Sequence, residues 1–282
     1  MTLTCGGILA GQLVIVAVPD CSDIRSARRL AWDYTALADA YVARPDYADA
    51  AIREIAAVTG LPRGASALDL GAGAGHLTIK IAGLGWDVLA LEPNAAMRAH
   101  GIRRTRELHN VRWIDGVMES TGQAVGSFSA CTYGSSFGVV DRGVTLREAA
   151  RLLEDEGWFA CVFNHRALDD PLQQEIEAFI KSRLPDYDYG TRREEQSEVI
   201  EASGFFRRSH RIEAPVSHVR PVEEWITAWR SHATLQRQSG DRFPEIVDGI
   251  AAIIARTCTD RIEVPYVTRG WVAQRLPRAA CA

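Results

Sequence analysis

Three glycines and two acidic side chains carry the clearest chemistry in this sequence. In Asp69-Leu-Gly71-Ala-Gly73-Ala-Gly75 an apolar run, Ser66–Leu70, gives way to residues without a Cβ. A strand ends in this way when its backbone must approach a bound group closely, and the helix predicted next, His76–Leu84, offers free N–H groups at its start. The spacing is G-x-G-x-G with Asp69 two residues ahead. It departs from the G-x-G-x-x-G of dinucleotide sites and favours a sulfonium cofactor over a nicotinamide one. Glu92 ends the following apolar segment, where a carboxylate can accept both hydroxyls of a ribose, a role that does not by itself separate the two cofactors. Asp115-Gly116 ends the next, where an acid can accept from an adenine amino group and where a plain Asp-Gly turn would read the same.

These residues need a frame that brings strand ends to one edge. The apolar pattern predicts strands at Asp87–Leu91, Val111–Ile114, Phe128–Tyr133 and Trp158–Phe163, interleaved with helices at Ala95–Glu107 and Leu146–Leu153. Strands near Phe206–Ala214 and Gly270–Gln274 complete seven. This order predicts an α/β, doubly wound, mostly parallel sheet with N-terminal helices and a helical insertion. Between Arg28 and Val58 the periodicity gives two short helices broken at Pro45, and residues 167–202 and 221–256 read as helical insertions on the substrate side. Residues 1–27 read as an extension ahead of a domain spanning 28–282.

The ordered motifs D-L-G-A-G-A-G (69–75), A-L-E-P-N (90–94), I-D-G (114–116) and L-R-E-A-A-R-L-L-E-D-E-G-W-F (146–159) resemble those of class I S-adenosylmethionine-dependent methyltransferases, over roughly residues 31–277. The resemblance implies a Rossmann-like sheet with its last strand antiparallel, and S-adenosylmethionine as cofactor, leaving S-adenosylhomocysteine. It implies that Asp69, Gly71, Gly73, Glu92 and Asp115 hold the cofactor, flanked by Ala72, Pro93, Met97, Gly116 and Tyr133. In proteins similar to this one N-terminal helices close over the cofactor, which brings in Tyr41 and Arg44. Two departures matter: Ser129 replaces the usual acid opening the fourth strand, and Tyr133-Gly-Ser-Ser-Phe137 stands where enzymes acting on base or amide nitrogens carry Asn/Asp-Pro-Pro-aromatic. Methylation of nucleic-acid bases or protein amides is therefore disfavoured.

Methyl transfer from a cation is an in-line displacement, so the protein must mainly align the reacting atoms and, for some nucleophiles, remove a proton. Two segments fall at the carboxyl ends of strands, one containing Ser135 and the other Asn164-His165-Arg166. His165 is the first choice of base, since an imidazole titrates near neutrality; a strand-end cap is the alternative. Tyr133, Tyr189 and His232 follow as catalytic candidates. Arg192 and Arg193, in the polar run Tyr187–Glu195, either bind an anionic substrate or belong to a solvated helix start. Trp229 shares a helix face with Trp225 and His232, as pocket lining or as core. Ser135, Asn164, Arg166, Arg192, Arg193 and Trp229 make up the expected substrate contacts.

Composition narrows the partners. The 282 residues carry a net charge of −4 with scattered arginine pairs, which argues against nucleic acid. The apolar run Gly6–Pro19 is shorter than a membrane span and has no basic flank, so no membrane association and a cytoplasmic location are expected. Six cysteines without C-x-x-C or His spacing indicate neither disulfides nor metal. The expected function is methyl transfer to O, N or C of a small metabolite, in specialised-metabolite or glycan biosynthesis. The alternatives are a non-methylating reaction in the same pocket, such as cyclisation, elimination or hydrolysis, and a non-catalytic binding subunit. A homodimer or partner subunit is open.

Overall fold

The computed structural model describes residues 8–9, 12–13, 33–258 and 260–278. Most of the predicted extension 1–27 lies outside the described residues; within it Ile8–Leu9 pairs antiparallel with Gln12–Leu13. From Asp33 onward the chain forms one compact unit.

Seven strands make its sheet: β1 (Ser66–Leu70), β2 (Asp87–Leu91), β3 (Val111–Ile114), β4 (Phe128–Gly134), β5 (Leu153–Arg166), β6 (His210–Pro221) and β7 (Arg261–Gln274). Their order is β3-β2-β1-β4-β5-β7-β6, and β7 alone runs antiparallel to its neighbours. The order reverses between β1 and β4, which opens a crevice at the carboxyl ends of those two strands.

Two apolar layers sandwich the sheet. Helices α1 (Ala38–Tyr41), α2 (Asp49–Thr59) and α3 (His76–Gly83) precede or follow β1. Ile52, Ile55, Leu77 and Ile81 from α2 and α3 pack with Ala67, Val88 and Val162 on one face. Helix α4 (Ala95–Thr105) lies beside β3, and Trp113 donates to Thr105 Oγ1 at 2.9 Å. On the other face α5 (Arg142–Leu152) contributes Leu146 and Ala149 against Leu68, Cys131 and Phe159. This helix starts four residues before the predicted Leu146, because Asp141 accepts from Val144 N at 2.8 Å and carries the start past the apolar period.

The insertions build a third core. Helices α6 (Pro171–Arg183), α8 (Val222–Trp229) and α10 (Phe243–Thr257) meet through Ile176, Ile180, Trp225, Ile250 and Ile254, with Ile262 and Val264 of β7 beneath them. Short α7 (Ser197–Ala202) and α9 (Ala233–Ser239) complete the α-helices among the described residues. Strand β7 is far longer than the predicted Gly270–Gln274, and β6 starts later and ends later than the predicted Phe206–Ala214, because the two continue beyond β5 as a two-stranded ribbon, paired from His210↔Val272 to Pro221↔Arg261. The ribbon's outward residues mix charged and polar side chains, Arg261, Glu263 and Ser217, with exposed Val219, so its apolar alternation is diluted in the sequence.

Candidate active site

A cleft partly open to solvent lies at the carboxyl ends of β1, β4 and β5. One wall is the glycine turn: Gly71, Gly73 and Gly75 sit at φ +68°, +58° and +83°. A Cβ on Gly71 would lie 2.6 Å from Met118 Cε and 2.8 Å from Ser136 Cβ, so glycine is required by both conformation and space. Ser136 Oγ donates to Leu70 O at 2.6 Å and latches the turn after β4 onto the end of β1.

Two buried acids hold the turn from behind. Asp69 is fully buried and accepts from Thr78 Oγ1 at 2.6 Å and Thr132 Oγ1 at 3.1 Å; burial outweighs these bonds and pushes its carboxyl up to about 6. Glu92 accepts from Gly73 N and Asn94 N, each at 2.8 Å, and burial pushes it up to about 7. A carboxylate has about four acceptor directions, so Glu92 keeps capacity for ribose hydroxyls beside a backbone that a side chain would obstruct.

Residues 68–161 match the family model described as a methyltransferase domain. That match covers a third of the chain and takes in the glycine turn, Glu92 and Asp115. It resembles in fold a candidate type II methyltransferase from Anaeromyxobacter dehalogenans, with a TM-score of 0.56 and 20% identity over 83% of this chain and 99% of that one. It also resembles the YcgJ protein from Bacillus subtilis, with a TM-score of 0.51 and 18% identity over 82% of this chain and 100% of that one. No curated protein matches the sequence significantly. The residues of the turn fit S-adenosylmethionine: three left-handed glycines and a ribose-capable carboxylate. When bound, the cofactor supplies a methyl carbon activated by its sulfonium.

The fold brings most of the predicted residues to one place. Tyr41, Arg44, Asp69, Gly71, Ala72, Gly73, Ser135, Asn164, His165, Arg166, Tyr189, Arg192, Arg193 and His232 all line the cleft. Glu92, Pro93, Met97, Asp115 and Gly116 do not; they follow β2 and β3 further along the same sheet edge. Met97 is buried with Ala74 beside Tyr41, and Asp115, with a half-exposed side chain, lies 3.7 Å from Arg98.

Several roles need correction. Tyr133 is neither a base nor a cofactor contact: alternation along β4 turns it into the core, against Phe137 and Phe159 at 5.7 and 5.3 Å. Trp229 is core too, its ring 4.3 Å beneath the Arg166 guanidinium. His232 caps α9, its Nδ1 accepting from Leu235 N at 3.2 Å, and its imidazole stays neutral because burial and the charges of Arg44, Arg166 and Arg192 oppose protonation. Tyr189 is committed to a short hydrogen bond with Glu177 and accepts from Arg166 at 2.8 Å. Arg166 also donates to Gln173 and Glu177, each at 2.8 Å, and is therefore an anchor of α6 more than a substrate ligand. Asn164 is likewise occupied, donating to Asp46 O at 2.9 Å and accepting from Thr268 Oγ1 at 2.9 Å, which fixes the loop that carries Arg44 and Tyr47.

His165 faces the cleft, stacked 9° from coplanar on Phe163. Burial, then Arg193, Arg192 and Arg269, lower its pKa to about 3. The imidazole is therefore neutral near neutrality, and these surroundings weaken it as a proton acceptor. The burial of its neighbours was invisible in the linear sequence.

The sequence reading missed His76, Leu77, Pro45, Gly134 and Tyr266 as cleft lining. The position of His76 as the first residue after the glycine turn was an available signal; Tyr266 had none, since only the long β7 ribbon carries it there. Tyr47 OH lies 3.0 Å from Ser135 Oγ. Ser135 itself is held at φ +59° by a 2.7 Å bond from its N to Val162 O. Left-handed backbone strains a β-branched side chain most. Ser135→Val is expected to destabilise by about 1–3 kcal/mol, whereas Ser135→Gly stays within about 1 kcal/mol of wild type. Thermal unfolding of the two variants checks this, and equal losses would refute it.

Proposed function

We propose that this methyltransferase transfers a methyl group to O, N or C of a small metabolite, in a biosynthetic role. The observation that carries the reading is the shared cleft: the glycine turn forms one wall, and Ser135, His165, Arg192 and Arg193 face it from β4, β5 and the first insertion. The segments 167–202 and 221–256 act on the substrate side, contributing Tyr189, Arg192, Arg193 and His232 to the lining.

The chain's own work is positioning. Glu92 and the turn orient the cofactor, Tyr41 and Arg44 cover it from α1, and the insertion residues exclude water. Neutral His165 orients the acceptor by hydrogen bonding and does not take its proton. Holding reactants in line is sufficient for a nucleophile that arrives deprotonated or carries no proton to lose.

Incubating the protein with S-adenosylmethionine and a fractionated small-molecule extract, with mass spectrometry of both cofactor and acceptor, tests the proposal. Release of S-adenosylhomocysteine with a methyl mass gain on a small molecule is expected. A transformed metabolite with the cofactor intact would point to the non-methylating alternative. Methyl gain only on protein or nucleic acid would overturn the proposal.

A further inference from the structure

The arginines of the cleft outnumber the acids that could balance them. Arg44, Arg166, Arg192 and Arg193 line it, and among the described lining residues the only carboxylate is Asp69, committed to two threonines beneath the turn. Arg166 is paired with Glu177. Among the described residues, Arg44, Arg192 and Arg193 form no carboxylate pair. Arg192 reaches Thr234 Oγ1 at 3.4 Å, and Arg193 reaches Arg166 O at 3.2 Å while stacking 4.4 Å over Tyr189. The Nε atoms of both arginines and Nε2 of His165 are buried without a hydrogen-bond partner among the described residues. The two arginine Nε–H donors in that state cost free energy unless a ligand supplies acceptors.

The backbone that carries the two arginines is built to hold them there. Gly190–Arg193 forms a short turn of helix, with Gly190 at φ +54° and its N donating to Asp188 Oδ1 at 2.7 Å. Gln196 donates to Thr191 O at 2.8 Å and to Glu194 O at 2.9 Å. Gly138 lets the segment close on the loop after β4, since a Cβ there would lie 2.8 Å from Thr191 Oγ1.

We infer that the methyl acceptor bears an oxyanion, a carboxylate or phosphate, held by Arg192 and Arg193 with His165 beside it. This rests on the small-metabolite reading above and names the substrate class. Planar guanidinium forks suit both oxyanions. Arg44, nearer the glycine turn on the α1 side, is left for the cofactor's own carboxylate.

The test uses the full chain saturated with S-adenosylhomocysteine. Calorimetric titrations with inorganic phosphate, succinate and neutral succinamide, at ionic strength matched with sodium chloride, separate the two oxyanions from each other and from a non-ionic control. Binding of at least one anion, weakened roughly 10- to 100-fold in Arg192→Gln and Arg193→Gln, is expected, with S-adenosylhomocysteine affinity unchanged. No binding beyond the salt control overturns the inference. Anion affinity unaltered by both substitutions, or a parallel loss of S-adenosylhomocysteine binding, also overturns it, the latter because the arginines would then serve the cofactor. Anion binding without methyl release in the extract assay upholds the subsite and counts against methyl transfer, so the two readings fail separately.

Discussion

Arg166→Ala is expected to lower the stability of the protein by about 3–5 kcal/mol, the range for breaking one partner out of a buried ion pair. The side chains of Arg166 and Glu177 are 6% and 12% exposed and lie 2.8 Å apart. Removing the guanidinium leaves the Glu177 carboxylate uncompensated, strips a donor from buried Gln173, and ends the stacking over Trp229. The pair ties the carboxyl end of β5 to α6 and to Tyr189, so the insertion loses its fastening to the sheet. Combining Arg166→Met with Glu177→Gln is expected to recover most of the loss, since no lone charge is left buried. Denaturant unfolding at constant m-value reads both variants. A loss under about 1 kcal/mol for Arg166→Ala, the worth of a solvated pair, would contradict the buried clamp.

Glu92→Ala is expected to weaken S-adenosylmethionine binding by about 1–3 kcal/mol, the cost of hydrogen bonds to a charged acceptor, and to strand the donors of Gly73 and Asn94 as well. The wild-type carboxyl also makes the protein pH-sensitive. Its folded pKa, about 7, lies above the ordinary 4.5. The folded state therefore holds the proton longer than the unfolded chain, and this group lowers stability as pH rises from 4.5 to about 7. The full difference is roughly 3 kcal/mol. Asp69, raised from 3.8 to about 6, acts in the same direction. Ribose hydroxyls donating to Glu92 favour its charged form, so cofactor binding tightens from pH 6 to 8 and releases a proton in that window. Calorimetry in two buffers of different ionisation enthalpy measures the proton directly. Glu92→Gln should abolish the release; a pH-independent affinity in wild type would place the ribose elsewhere.

The sequence by itself determined the sheet, the glycine turn and the cofactor. Each is encoded locally: a buried strand is an unbroken apolar run, a left-handed backbone demands glycine at Gly71 and Gly73, and a carboxylate at a strand end can be named without knowing its neighbours. It also determined that Arg192 and Arg193 were worth watching, through their residue type alone. The tertiary structure decided everything that depends on which way a side chain points and what charges surround it. Tyr133 and Ser135 are two residues apart, yet strand alternation buries the first in the core and a left-handed turn delivers the second to the cleft. Near-neutral imidazoles suggested a base in the sequence, but His165 and His232 are largely shielded from water and stand among arginines drawn from four segments of the chain. Desolvation and summed charge are long-range properties of the fold, which is why the cofactor cradle was legible in one dimension and the acceptor site only in three.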